Sequence, residues 1–85
     1  MVDARTDLID TLAKDIGVAP PTPTEIESLL SLAAAAAHGT GDRTTAPLAS
    51  FLAGLAAAGS QDRAASLNKT RRRVTELAPS ARPGA

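Results

Sequence analysis

Apolar positions recur along this chain at the three- and four-residue spacing of amphipathic helices, in four separate segments. The spacing predicts helices over about residues 4–16, 23–38, 47–58 and 61–77, joined by polar or proline-rich connections. Aromatic and β-branched aliphatic residues, which sheets prefer, are scarce. The pattern therefore predicts an all-α fold, a small bundle of four short helices.

Local signals mark the ends of the first two helices. Asp3 is suited to cap the first helix, and Gly17 is suited to end it in the left-handed conformation. Thr22, Pro23 and Glu25 form a capping-box sequence with proline at the first helical position. These signals predict a break between the two helices in a connector that contains three prolines.

An alanine-rich stretch, residues 33–58, occupies the centre of the chain. Two glycines directly after His38 predict that the second helix ends there, and Pro47 is suited to the first turn of the third. Residues 39–46 between these two helices form a polar turn. Alanine loses no side-chain entropy in a helix, so the segments on both sides of this turn are expected to be helical.

The end of the chain predicts a fourth helix and a tail. Ser60 is expected to cap the fourth helix, and Pro79 is expected to end it. We expect one helical domain over residues 1–78 and a disordered tail over residues 79–85.

The helical spacing also predicts an apolar face on each helix. Helix by helix, these faces are Leu8, Leu12 and Ile16; Ile26, Leu29, Leu30, Ala33 and Ala37; Leu48, Phe51, Leu52, Leu55 and Ala56; and Ala64, Leu67, Val74 and Leu77. The face of the second helix is expected to be buried, and the apolar faces of the four helices either pack against one another or bind a partner. Leu32 lies off the face of the second helix and is expected to contact either another helix or solvent. Phe51 is the single aromatic residue, and we expect it in the core.

Charge is balanced overall but unevenly placed. Residues 1–38 carry six acidic and two basic side chains, whereas residues 39–85 carry seven basic and three acidic ones. We interpret this distribution as electrostatic attraction between the two halves of the folded chain. The alternative interpretation is that the separated charges give the protein a dipole that attracts a partner.

Few residues indicate a catalytic, metal-binding or partner-binding site. His38 is the sole histidine and there is no cysteine, so no zinc site or cysteine nucleophile is expected. A positively charged side chain at the end of a helix also suits the helix dipole. We expect no catalytic residue, metal or cofactor, and the candidate partner contacts are His38, Arg71, Arg72 and Arg73.

The segment LLSLAAAAAHGTGDRTTAPLASFLAGLAAA resembles a small actinobacterial helical domain of unknown function. The resemblance rests on Leu29, Leu30, Leu32, Ala37, His38, Ala46, Pro47, Leu48, Phe51, Leu52, Gly54, Leu55 and Ala56. Members of that family occur alone or fused to the molybdenum cofactor guanylyltransferase, and near formate dehydrogenase accessory genes. The chain departs from the pattern in its two-glycine turn and in a polar extension after Gly59. The family has no assigned catalytic residues to transfer.

The resemblance implies a non-catalytic accessory or docking module in molybdenum cofactor biosynthesis or formate dehydrogenase maturation. The implied partner is the guanylyltransferase or a formate dehydrogenase accessory factor, with self-association as a further option. The alternative is a small anion- or nucleic-acid-binding protein that uses the basic fourth helix. Zero net charge disfavours nucleic acid.

The chain is expected to be cytoplasmic and not bound to a membrane. Its first residues, MVDARTDLID, are polar and do not form a secretory leader. Residues 44–61, the longest uncharged run in the second half, are too weakly apolar to span a bilayer.

Overall fold

The computed structural model describes residues 3–81, which form four α-helices and a short 3-10 helix. Helix α1 spans Ala4–Ile16, α2 Pro23–Thr40, α3 Thr45–Ala58 and α4 Arg63–Leu77, and the 3-10 helix spans Ala78–Ala81. The predicted all-α fold is confirmed, and residues 3–81 contain no strand. The rest of the predicted tail, residues 82–85, lies outside the described residues.

The predicted boundary signals of the first two helices are confirmed. The Asp3 carboxylate accepts a hydrogen bond from the Thr6 amide at 2.7 Å, and Gly17 ends α1 with a φ of 78°. In the capping box, Thr22 Oγ1 accepts from the Glu25 amide, and a Glu25 carboxylate oxygen accepts from the Thr22 amide at 2.8 Å. Both helices therefore begin where their polar caps satisfy the free amides.

Helix α2 extends two residues beyond its predicted end. Its left-handed cap is Gly41, with a φ of 76°, and the Thr40 hydroxyl donates to the Ala36 carbonyl within the last turn. Gly39 lies inside the helix, where a Cβ atom would fall 2.6 Å from the Cβ of Ala78. The absence of a side chain at this position lets the 3-10 helix pack directly on the α2 backbone.

The last two helices also begin at other residues than expected. Helix α3 starts at Thr45, two residues before Pro47, after a turn in which Asp42 accepts from the Thr44 amide and hydroxyl. Helix α4 is capped by Asp62, which accepts from the Ala65 amide at 3.1 Å. Ser60, the predicted cap, instead exchanges hydrogen bonds with the Asp62 backbone.

Helices α2, α3 and α4 form the packed bundle. Helices α2 and α4 run parallel: Glu25 contacts Arg63 at their N-terminal ends, and Gly39 contacts Ala78 at the other end. Helix α3 connects them, runs in the opposite direction and packs against both, and α2 and α4 also contact each other. Helix α1 makes no close backbone contact with the other three helices.

The core combines large side chains from two helices with small side chains from the third. Leu32 of α2 and Leu67 of α4 are buried against Ala53 and Ala57 of α3. Leu29, Ala49 and Val74 pack around this cluster. Because the leucines fill the space between the helices, α3 presents its alanines inward.

This arrangement corrects one residue of the predicted buried face of α2 and contradicts the predicted face of α3. Leu29 packs against the core as expected, whereas Leu30 is 53% exposed. Leu32 has no exposed surface and contacts the other helices, which was one of its two expected positions. Phe51, expected in the core, is 65% exposed. The prediction for Phe51 was wrong because its large side chain was assumed to face inward, whereas α3 packs through its small ones.

Some apolar residues of α4 and α1 are buried and others are exposed. On the apolar face of α4, Leu67 is buried and Val74 is half-buried, but Leu77 is exposed. Leu8, Leu12 and Ile16, the apolar stripe of α1, are exposed because no other helix packs on that side.

A partly buried ion pair joins the connector to both parallel helices. Arg63 Nε and Nη2 donate to the two carboxylate oxygens of Glu25 at 2.8 and 2.9 Å, and Arg63 Nη1 donates to the Ala19 carbonyl at 3.2 Å. The Glu25 side chain is 5% exposed and also caps α2 through the Thr22 amide. The Glu25 carboxylate thereby links the start of α2 to the start of α4, and Arg63, which it binds, holds the connector.

The hydrogen bond from the Thr22 amide lowers the pKa of Glu25, and the guanidinium of Arg63 lowers it further, against the opposing effect of burial. Since the folded-state pKa lies below the unfolded one, the ionised carboxylate stabilises the fold above its ordinary pKa of 4.5. This contribution is lost as the pH falls through the folded-state pKa.

Replacing Leu32 with Ala should lower the free energy of unfolding by about 2–5 kcal/mol, because a fully buried leucine leaves a cavity. Leu30→Ala, on the same helix but half exposed, should cost less than about 1 kcal/mol. Urea denaturation monitored by circular dichroism measures both values. Equal losses in the two variants would contradict the observed core.

Acidification should destabilise the protein, and Glu25→Gln should remove part of this pH dependence. Asp3 and Asp42 also have lowered pKa values, from hydrogen bonds by Thr6 and Thr44 respectively, so some loss should remain in the variant. Urea denaturation between about pH 7 and pH 3 gives the comparison. Glu27→Gln, at an exposed position on the same helix, is the control and should keep the parent's loss. A Glu25→Gln curve parallel to the parent's would contradict the role of the pair.

Candidate functional site

The described part of the chain exposes most of its large apolar side chains. Within residues 3–81, ten of them are exposed, and only Leu32 and Leu67 are buried among the large apolar residues. The exposed ones are Leu8, Leu12, Ile16, Val18, Leu30, Leu48, Phe51, Leu52, Leu55 and Leu77. Isolated exposed leucines are normal, but contiguous apolar patches mark interaction surfaces.

The first patch follows one side of α1. Leu8, Leu12 and Ile16 lie one turn apart along the helix and are all exposed; we call them the α1 stripe. The neighbouring side of α1 faces the protein, because Ala13 is buried and Ile9 is half-buried. Helical geometry places Arg5 on the same side as the stripe, three residues before Leu8. The stripe is therefore an apolar surface with a positive charge at its N-terminal end.

An apolar groove separates α1 from the start of α2. It has a volume of about 200 Å³. It is lined by Arg5, Thr6, Ile9, Pro21, Ile26, Leu29 and Leu30. Helix α1 thus rests on α2 through few side chains and leaves space for apolar groups of another molecule beside it.

The second patch lies on α3. Leu48, Phe51, Leu52 and Leu55 are 56–65% exposed, and we call them the α3 face. Their spacing of three, four and seven residues places them on one side of the helix, opposite the buried Ala53 and Ala57. Helix α3 contains no charged residue.

The predicted contact residues lie elsewhere on the surface. His38 is exposed in the last turn of α2. On α4, Arg71 donates two hydrogen bonds to the Asn68 side chain, and Arg73 forms a 3.3 Å ion pair with Glu76. Arg72 is exposed. A role for these residues in binding a partner stays a prediction.

Arg71 also lines a polar groove of about 340 Å³ between α2 and α4. The other residues that line it are Thr24, Glu27, Ser28, Ser31 and Asn68. The groove therefore combines an arginine with a carboxylate, which opposes the binding of an anion at this point.

The geometry defines the class of the protein as a small helical bundle with two exposed apolar faces. Residues 3–85 match the family described as Domain of unknown function (DUF6457), and the chain belongs to this family. No match was found among curated proteins or among solved structures. Within residues 3–81, no helix has the length and apolar character needed to cross a membrane.

Phe51 and its face were expected in the core, although a partner-binding surface was left open for the apolar stripes. A helix without charge carries no polar side to mark its solvent-exposed face. Gly54 was a signal of an exposed contact surface on α3, because a glycine that nothing requires inside a helix costs about 0.5–1 kcal/mol of stability relative to Ala. A Cβ at Gly54 would meet no atom within 4 Å, so nothing in this chain packs closely there.

Replacing Arg71, Arg72 and Arg73 together with Gln should change the free energy of unfolding by less than about 1 kcal/mol. The helix dipole acts within the last turn, and the last turn of α4 contains no basic residue. We also expect the parent not to bind a fluorescent DNA duplex in an anisotropy titration. Binding by the parent that weakens steeply with salt and is lost in the variant would instead support the alternative anion-binding function.

Proposed function

We propose that this protein is a non-catalytic docking module that binds another protein through the α1 stripe. The observation that carries the proposal is that α1 makes no close backbone contact with the rest of the bundle and exposes its apolar side. An amphipathic helix in this position supplies the one-turn spacing of anchors with which helices bind apolar grooves of partners.

The length of α1 supports this assignment. Isolated helices shorter than about 12–15 residues are marginal in water, and α1 has 13 residues. Its caps, Asp3 and Gly17, define its ends but bury no apolar surface. Burial of the stripe against a partner would supply the packing that the bundle does not provide.

The proposed partner is the molybdenum cofactor guanylyltransferase or a formate dehydrogenase accessory factor. Its support is the resemblance of the segment around His38, Pro47 and Leu48 to a domain found fused to that enzyme. On this proposal the module acts in the cytoplasm, a compartment that the cysteine-free composition suits. The alternative is an anion- or nucleic-acid-binding function of α4. The DNA-binding titration with the triple arginine variant distinguishes this alternative from docking to a protein.

Leu8→Gln and Leu12→Gln should each weaken binding to the guanylyltransferase of the same host about tenfold or more, because each removes an apolar anchor. Glutamine preserves helix propensity, so circular dichroism should remain unchanged. Isothermal titration calorimetry with the purified enzyme measures the affinity, and the same titration is made with the accessory factor.

Leu77→Gln is the matched control, because Leu77 is similarly exposed but lies at the end of α4. It should bind like the parent. Equal affinities for the parent and both α1 variants would exclude docking through α1, and a parent that binds neither protein would exclude the proposed partners.

A further inference from the structure

We propose that the α3 face binds the α3 face of a second copy of this chain, so that the protein forms a two-fold symmetric dimer. The α1 stripe is not needed for this contact. The dimer adds a second interaction surface, on a different helix, to the docking surface proposed above.

The geometry of the α3 face suits the pairing of two helices. Leu48, Phe51, Leu52 and Leu55 occupy the positions i, i+3, i+4 and i+7 of a single helix side. This is the spacing at which side chains of one helix insert between those of another. Because Ala53 and Ala57 anchor the opposite side of α3 in the core, the face is held outward by the fold itself.

The exposed area approaches what a stable dimer needs. The four side chains expose roughly 400 Å² of apolar surface per chain. Two copies would bury about twice this area, and specific interfaces bury upward of about 1,000 Å² in total. Val18, which is exposed and lines a groove with Gly54 and Ala58 of α3, extends the apolar surface beyond the four residues.

The absence of charge favours a second copy over an unrelated partner. A two-fold axis brings a residue that lies close to it near its own counterpart, so a charged residue at the centre of the face would meet a like charge. Helix α3 carries none. The α1 stripe, in contrast, has Arg5 on its side of the helix, which suits a partner with a complementary charge.

Gly54 provides an independent observation. A Cβ at this position would meet no atom of the chain within 4 Å, so the glycine serves no close packing within one copy. Gly54 and Ala58 lie one turn apart at the edge of the α3 face beside Phe51, where their small size leaves room for side chains of a second copy to pack against Phe51.

Sedimentation equilibrium of the purified full chain tests the dimer directly. Over loading concentrations from about 1 µM to 1 mM, the mass should rise from 8.6 kDa toward twice that value. A mass that stays at 8.6 kDa over the whole range would overturn the proposal. No partner is present, so this result is independent of docking through α1.

Two variants locate the interface on α3. Leu52→Glu should be monomeric with an unchanged circular dichroism spectrum, because it places like charges across the axis at a site exposed in the single chain. Gly54→Leu should weaken the dimer at least tenfold, because its side chain has open space in one copy but would fill the room beside Phe51 that the second copy needs. Leu77→Gln is the control and should dimerise like the parent.

Association that survives Leu52→Glu would overturn the α3 interface, and so would association that is lost in Leu8→Gln. Association that is undiminished in Gly54→Leu would exclude a contact at the Phe51 edge of the face and, with it, the proposed geometry.

Discussion

The carboxylate of Glu25 is the contact on which the arrangement of the helices depends. It caps α2 through the Thr22 amide and accepts two hydrogen bonds from Arg63 at the start of α4. Arg63 in turn holds the Ala19 carbonyl of the connector. A charge buried in this way is costly unless every hydrogen-bonding position is satisfied, and here both oxygens have partners. The pair therefore specifies how α2 and α4 align and where α1 leaves the bundle.

Small side chains determine how closely the bundle packs. Ala53 and Ala57 of α3 meet Leu32 and Leu67, and Gly39 admits Ala78 against the α2 backbone. Packing of this kind lets backbones approach closely and uses few large apolar residues. As a result, the leucines and the phenylalanine of α3 are left on the surface instead of in the core.

The two exposed faces have different physical characters. The α1 stripe belongs to a helix that hardly contacts the bundle, and Arg5 on its side adds a charge that a different protein could complement. The α3 face belongs to a helix fixed in the core, is free of charge and includes a glycine without an internal packing partner. The first surface suits a separate partner, whereas the second suits a copy of itself.

The sequence by itself determined the helices, because their signals are local. The capping box at Thr22, the left-handed cap at Gly17 and the spacing of apolar residues each act within one or two turns. The end of α2 shifted where a distant residue intervened, because Gly39 lies within the helix and contacts Ala78. The starts of α3 and α4 shifted through local hydrogen bonds of Asp42 and Asp62.

Only the tertiary structure decided which side of each helix is buried. In α3 both sides are uncharged, so the periodicity of Leu48, Phe51, Leu52 and Leu55 identified a face without showing its direction. Phe51 and its neighbours on α3 were consequently expected in the core, and the contact roles predicted for His38 and the α4 arginines stay predictions. The direction of the face depends on how much space α2 and α4 leave for α3, and this is a property of their packing that no single segment encodes.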